Sequence, residues 1–117
     1  MGLDLDLLPF DAFDNISFSH TVLCCDRKRD LFEKILKLVT KRVPNDFTSY
    51  LSMEDGMDHH YGRTVRTPYG DALCYTTVGA LLKFKDHVCV KDNVKNKAIW
   101  AYLNALPKKT KVALYWH

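Results

Sequence analysis

Eight side chains between positions 59 and 69 could hold an anion or a planar ring: His59, His60, Tyr61, Arg63, Thr64, Arg66, Thr67 and Tyr69. Arg63 and Arg66 carry planar guanidinium forks that match phosphate oxygens in pairs. Tyr61 and Tyr69 offer flat faces on which a base can stack. Thr64 and Thr67 add hydroxyls, while His59 and His60 can donate a hydrogen bond or stack. Gly62 and Gly70 allow a close approach of backbone to ligand. The mixture falls within residues 57–71, where neither helical nor strand periodicity is convincing. The sequence has no Walker A loop and no Gly-x-Gly-x-x-Gly loop, so any phosphate cradle would be built from side chains. A nucleotide, a cyclic nucleotide or a single strand is the expected ligand.

Other chemistries find less support. Asp58, His59 and His60 are consecutive, and Asp86-His87, His20 and His117 lie elsewhere. Imidazole and carboxylate suit zinc or manganese. Adjacent histidines do not easily reach one ion, however, and no His-x-x-x-His or His-Glu-x-x-His spacing occurs. The Asp-His order is also the reverse of the His-Asp pair of metal phosphohydrolases. No metal and no cofactor are expected. Cys24, Cys74 or Cys89 beside a histidine would supply a thiolate and a base. All four cysteines, Cys25 included, lie in apolar stretches that read as buried, inert thiols. Ser17 and Ser19 alternate away from His20, and no Gly-x-Ser-x-Gly elbow exists. One well-placed histidine suffices for acid–base work, so a small phosphodiesterase or nuclease using His59 or His60 stays open.

At 117 residues the chain reads as one domain, residues 1–117, with enough length for an ordinary core. The net charge of +3 is unevenly spread: residues 1–15 hold four acids and no base, leaving 17 bases against 10 acids, or +7, for the rest. Such a field draws in anions but is weaker than a duplex-DNA binder usually shows. The acidic start does not resemble a signal peptide, no apolar run could span a bilayer, and Asp6 spoils a myristoylation motif. A cytoplasmic protein with no membrane partner and no disulfide framework is the expectation.

The elements that must position these groups read as α+β. Residues 2–10 alternate Leu with Asp, which suits a half-exposed strand or arm ended by Pro9. Residues 15–25 alternate as a second strand. Asp26 reads as the N-cap of a helix over 27–41, stopped by Pro44. Residues 45–71 are either a long functional loop or a concealed hairpin, anchored by Phe47, Tyr50, Leu51 and Met53. Within it, 63–66 suits a short strand and 67–70 a turn. Residues 72–76 form a strand, and Thr76 or Thr77 caps a short helix to Phe84. Residues 88–90 are too short to assign. Asn93 opens a helix to Leu106 with Ile99, Tyr102, Leu103 and Leu106 on its apolar face. Trp100, near the edge of that stripe, is either core or an exposed anchor for a partner. Residues 111–117 close as a strand with Val112, Leu114 and Trp116 facing one way. A mixed or antiparallel sheet carrying two main helices on one face follows.

The segments Thr67-Pro-Tyr-Gly70, Asn96-Lys-Ala-Ile-Trp-Ala-Tyr-Leu103 and Lys111-Val-Ala-Leu-Tyr-Trp-His117 together resemble small uncharacterised proteins encoded by bacteriophages and prophages. The opening Gly2-Leu-Asp-Leu-Asp-Leu-Leu-Pro-Phe10 adds to that resemblance. It implies an accessory, possible anti-defence role in a host cytoplasm, by sequestering a signalling nucleotide or blocking a host protein. No site residue carries over from it. The expected function is therefore a non-enzymatic binding protein for an anionic, nucleotide-like ligand, with a homo-oligomer plausible. A protein-binding inhibitor of a host factor is the first alternative, and the phosphodiesterase the second.

Overall fold

The computed structural model describes residues 3–10, 18–52 and 59–117. Its spine is a ladder between the first strand, β1 (Leu5–Pro9), and the last, β8 (Lys111–Trp116), paired antiparallel from Leu5–Trp116 to Pro9–Val112. β3 (Leu23–Cys24) extends the sheet beyond β1. β7 (Cys74–Thr77) and β4 (Lys41–Arg42) extend it beyond β8. The resulting order is β3-β1-β8-β7-β4, antiparallel throughout. A second sheet joins β2 (Phe18–Ser19), β5 (Thr48–Ser52) and β6 (His59–Arg63). β2 runs parallel to β5, and β5 antiparallel to β6. The expected α+β class is the one observed.

The two faces of the main sheet carry two cores. One buries Leu5, Leu7, Val112 and Leu114 under helices α1 (Arg29–Leu36), α2 (Val78–Leu82), α3 (Val88–Lys91) and α4 (Val94–Asn104). The other buries Leu8, Phe10, Leu73 and Ala113 beneath Val43 and Phe47. There Phe10 packs its ring 4.8 Å from Phe47 and 5.4 Å from Tyr75. Helices packed mainly on one face of the sheet is the predicted layering. The facing predicted for residues 111–116 is also observed, with Val112, Leu114 and Trp116 toward the helices.

β1 corrects the first expectation. It is buried along its whole length rather than half-exposed. Leu–Asp alternation normally marks a solvated face, but here Asp6 is enclosed between neighbouring strands. Partial loss of hydration and the neighbouring Asp6 charge raise the pKa of the Cys24 thiol. His117 Nε2 lies 3.3 Å from Asp6 Oδ2 without forming a hydrogen bond.

The strand expected over 15–25 is divided instead. Phe18–Ser19 joins one sheet and Leu23–Cys24 the other, while residues 15–17 lie outside the described residues. The first long helix is shorter than the 27–41 expected, ending at Leu36, and Lys41–Arg42 is strand β4. Asp26 does not cap it; the N-cap is Lys28, with no side-chain bond. Asp26 is instead bound to α4, where Asn93 Nδ2 donates to Asp26 Oδ2 at 3.1 Å. Asn96 Oδ1 accepts from the Asp26 amide at 2.8 Å.

Local capping chemistry was readable. Thr77 Oγ1 accepts from the Ala80 amide and caps α2. Asn93 Oδ1 accepts from the Asn96 amide and opens α4 as predicted. The buried stripe of α4 is Asn96, Ile99, Trp100 and Leu103. Tyr102 is exposed, contrary to expectation, and Trp100 takes the inward place. Its Nε1 donates to Leu81 O at 2.8 Å, joining α4 to α2. No described helix is long and apolar enough to cross a membrane. The cysteines form no disulfide, but Cys24 is exposed rather than buried. Cys25 is buried, which pushes its thiol up to about 12.

Candidate functional site

Residues 45–71 contain the concealed hairpin. Tyr50 pairs with Tyr61, Leu51 with His60, and Ser52 with His59. Phe47 anchors this hairpin on the second core as expected, and Thr64 continues it by donating its amide to Phe47 O at 2.8 Å. Met53, Met57 and Asp58, named in the anchor, the ligand segment and the metal reading, lie outside the described residues.

A second, tighter hairpin follows, closed by the Arg66–Ala72 bridge. Its tip follows from its residues. Pro68 presets the first central position, and Gly70 N donates to Thr67 O at 2.9 Å. Gly70 has φ +88°, a conformation open to glycine at little cost, and it carries the chain back to Asp71. Asp71 O accepts from Thr67 N at 2.8 Å. Arg66 Nη1 donates to Gly70 O at 2.9 Å and braces the turn from outside. The expected turn at 67–70 is therefore present.

This turn forms one wall of an open cavity of about 330 Å³. Thr67, Tyr69, Asp71 and Ala72 come from the turn. Ile35, Leu36 and Thr40 come from α1 and its exit, Cys74 from β7, Leu114 and Trp116 from β8, and Leu3 from the approach to β1. Phe32 holds Trp116 in an edge-to-face contact at 5.5 Å, so this part of the floor is rigidly seated. The volume is at the lower end of the range typical of small-molecule pockets, about 300–1,000 Å³.

Thr67 is the informative residue. It is 7% exposed, and its Oγ1 has no hydrogen-bond partner among the described residues. A buried hydroxyl without a partner is destabilising unless a ligand or water satisfies it. Thr67→Val preserves the shape and removes the orphaned oxygen. The ligand-free variant is expected to be more stable by about 1 kcal/mol. A urea midpoint that falls instead would mean that the hydroxyl already has a partner.

The eight predicted ligand residues fall into two groups. His59, His60, Tyr61 and Arg63 belong to β6, in the second sheet. Arg66, Thr67 and Tyr69 belong to the turn hairpin, with Thr67 and Tyr69 on the cavity. Thr64 lies between them, its Oγ1 donating to Gly62 O at 3.1 Å and 3.3 Å from Ser49 Oγ. Arg63 and Arg66 are exposed, with Arg66 partly engaged by its own turn. Tyr69 is exposed at the rim. Arg27 is held by Asp4 through bonds of 2.9 and 2.7 Å, and this pairing lowers the Asp4 pKa.

Sequence reasoning did not assign Asp71, Cys74, Ile35 or Trp116 to a ligand site. Asp71 could have been assigned, since it directly follows the turn. The others come together only when α1, β7 and β8 are in place. Among the described residues, no three histidine, cysteine or acidic side chains gather as a metal site would require. No protein-family model matches the chain, no curated protein matches it in sequence, and no solved structure matches its fold.

Proposed function

We propose that this chain is a non-enzymatic binding protein that holds an anionic, nucleotide-like ligand through residues 57–71. The observation that carries the reading is the cavity beside the 67–71 turn, whose wall Thr67, Tyr69, Asp71 and Ala72 form. Tyr69 stands at its rim to cover a ring, and Arg66 and Arg63 are exposed cations on the same stretch of chain. These are the parts a phosphorylated planar molecule needs: an apolar slot, a few polar anchors and a positive approach. The resemblance to phage-encoded proteins extends the proposal to an anti-defence role, in which a host signalling nucleotide is sequestered without turnover in the cytoplasm. His59, His60 and Tyr61 would complete the ligand contact, within one chain or across a homo-oligomer.

The reading of the chain as an inhibitor of a host protein loses one of its two suggested surfaces. Trp100 is core and donates its indole N–H to Leu81 O, so it offers no anchor.

Native mass spectrometry of the protein purified from a bacterial host is the direct test. A nucleotide-mass adduct, released on denaturation, is the expected result, and it identifies ligand and subunit count together. Arg63→Ala and Arg66→Ala should each weaken binding of that ligand by about tenfold, the value of a lost charge-assisted hydrogen bond. A clean apo mass, or affinity untouched by the double substitution, would overturn the proposal.

A further inference from the structure

The positive charge of the chain is concentrated in one stretch. Residues 78–111 hold eight lysines against two aspartates, or +6, while the whole chain is only +3. Within that stretch another open cavity, of about 230 Å³, lies where α2 and α4 end. Gly79, Leu82, Lys83 and Lys85 come from α2 and its exit, Asn104 from the last position of α4, and Lys108 from the turn before β8. No acidic and no aromatic side chain lines it, and it shares no residue with the cavity beside the 67–71 turn. The turn that carries Lys108 is fixed against α2 by its backbone. Gly79 N donates to Lys108 O at 2.9 Å, and Val78 N donates to Thr110 O at 2.8 Å. Gly79 permits this approach, since a Cβ there would stand 3.3 Å from Lys108 O.

Lysines near helix C-termini often do no more than offset the helix dipole. Magnitudes decide against that reading here. Each helix end presents at most about half a negative charge, so the two ends offset about one of the three lysines. Asp86 and Lys109, which flank the lining in sequence, carry opposite charges. Lys83, Lys85 and Lys108 are exposed, and among the described residues none of them forms an ion pair. We infer that this cavity binds a compact anion that carries several phosphate groups. Ammonium groups act on phosphate oxygens as point charges, and the Asn104 amide can add a donor. Three chain segments converge on one hollow, which suits a compact anion. A nucleic-acid strand needs a track of cations with rings on which bases stack, and the lining has no ring. The site is separate from the nucleotide-binding reading above, and neither depends on the other.

The test is calorimetric titration of the chain with inorganic tripolyphosphate, a probe that has no ring. One-to-one binding that weakens as sodium chloride is raised is expected. Lys83→Gln, Lys85→Gln and Lys108→Gln should each weaken it about fivefold, the upper end for an exposed ion pair. Lys91→Gln and Lys97→Gln alter the same basic stretch outside the cavity and should leave binding unchanged. All of these side chains are exposed, so each variant should keep the melting temperature of the wild type. Equal losses from the variants inside and outside the cavity would mean that a diffuse basic surface attracts the probe, and would overturn the inference. So would a loss on Arg63→Ala or Arg66→Ala in place of the lysine variants, which would put the anion at residues 57–71. Orthophosphate binding as tightly as tripolyphosphate, a short oligothymidylate binding more tightly than either, or no binding at all overturns it as well.

Discussion

Trp100→Ala is expected to lower the stability of the protein by about 3–5 kcal/mol, the usual cost of emptying a buried tryptophan site. The residue is 3% exposed in the helical core. Its loss also strips Leu81 O of the 2.8 Å bond that joins α4 to α2. Urea unfolding followed by circular dichroism measures the loss. A midpoint close to that of the wild type would show that the side chain is not core, and would return it to the partner-anchor role. Because a folded globular domain is stable by only about 5–15 kcal/mol, the substitution takes a large share of the total.

Asn96→Ala is the second large effect, and its cause is polar rather than apolar. Asn96 is fully buried. Its Oδ1 accepts from Asp26 N at 2.8 Å, and its Nδ2 donates to Cys89 O at 3.1 Å and to Asp26 O at 3.3 Å. One amide thus satisfies backbone groups of the β3–α1 connection and of α3. Truncation leaves those groups without partners at about 1–3 kcal/mol apiece, so a loss of about 3 kcal/mol or more is expected. Asn96→Asp should not rescue it. The carboxylate keeps the acceptor but turns both donors into repelled lone pairs against Cys89 O and Asp26 O. A melting temperature for Asn96→Asp near that of the wild type would overturn this account.

These two residues also show where sequence reasoning stopped. The helix that carries them was legible, because Asn93 is a local cap and Ala98, Ala101 and Ala105 favour helix. Thr77 was legible for the same reason: its bond to Ala80 spans three residues. Asp26 was misread because the bonds that use it reach across the chain to Asn93 and Asn96. Periodicity could not decide between Tyr102 and Trp100, which flank the same stripe; the position of Leu81 O decided it. The alternation in β1 correctly implied a strand, but its exposure depended on β3 and β8, which the local pattern does not show. The turn at 67–70 could be read from Pro68 and Gly70 alone, whereas the cavity it borders depends on Ile35, Leu114 and Trp116 arriving from distant elements.

The pairing of β1 with β8 has a consequence for how the chain is made. On a ribosome, Leu5, Leu7, Leu8 and Phe10 emerge well before the strand that shields them, Lys111–Trp116. Neither face of the main sheet can close until that distant strand joins it, and pairing segments so far apart in sequence makes folding slow. During synthesis the early segment remains a sticky, unpaired edge that invites aggregation or a chaperone.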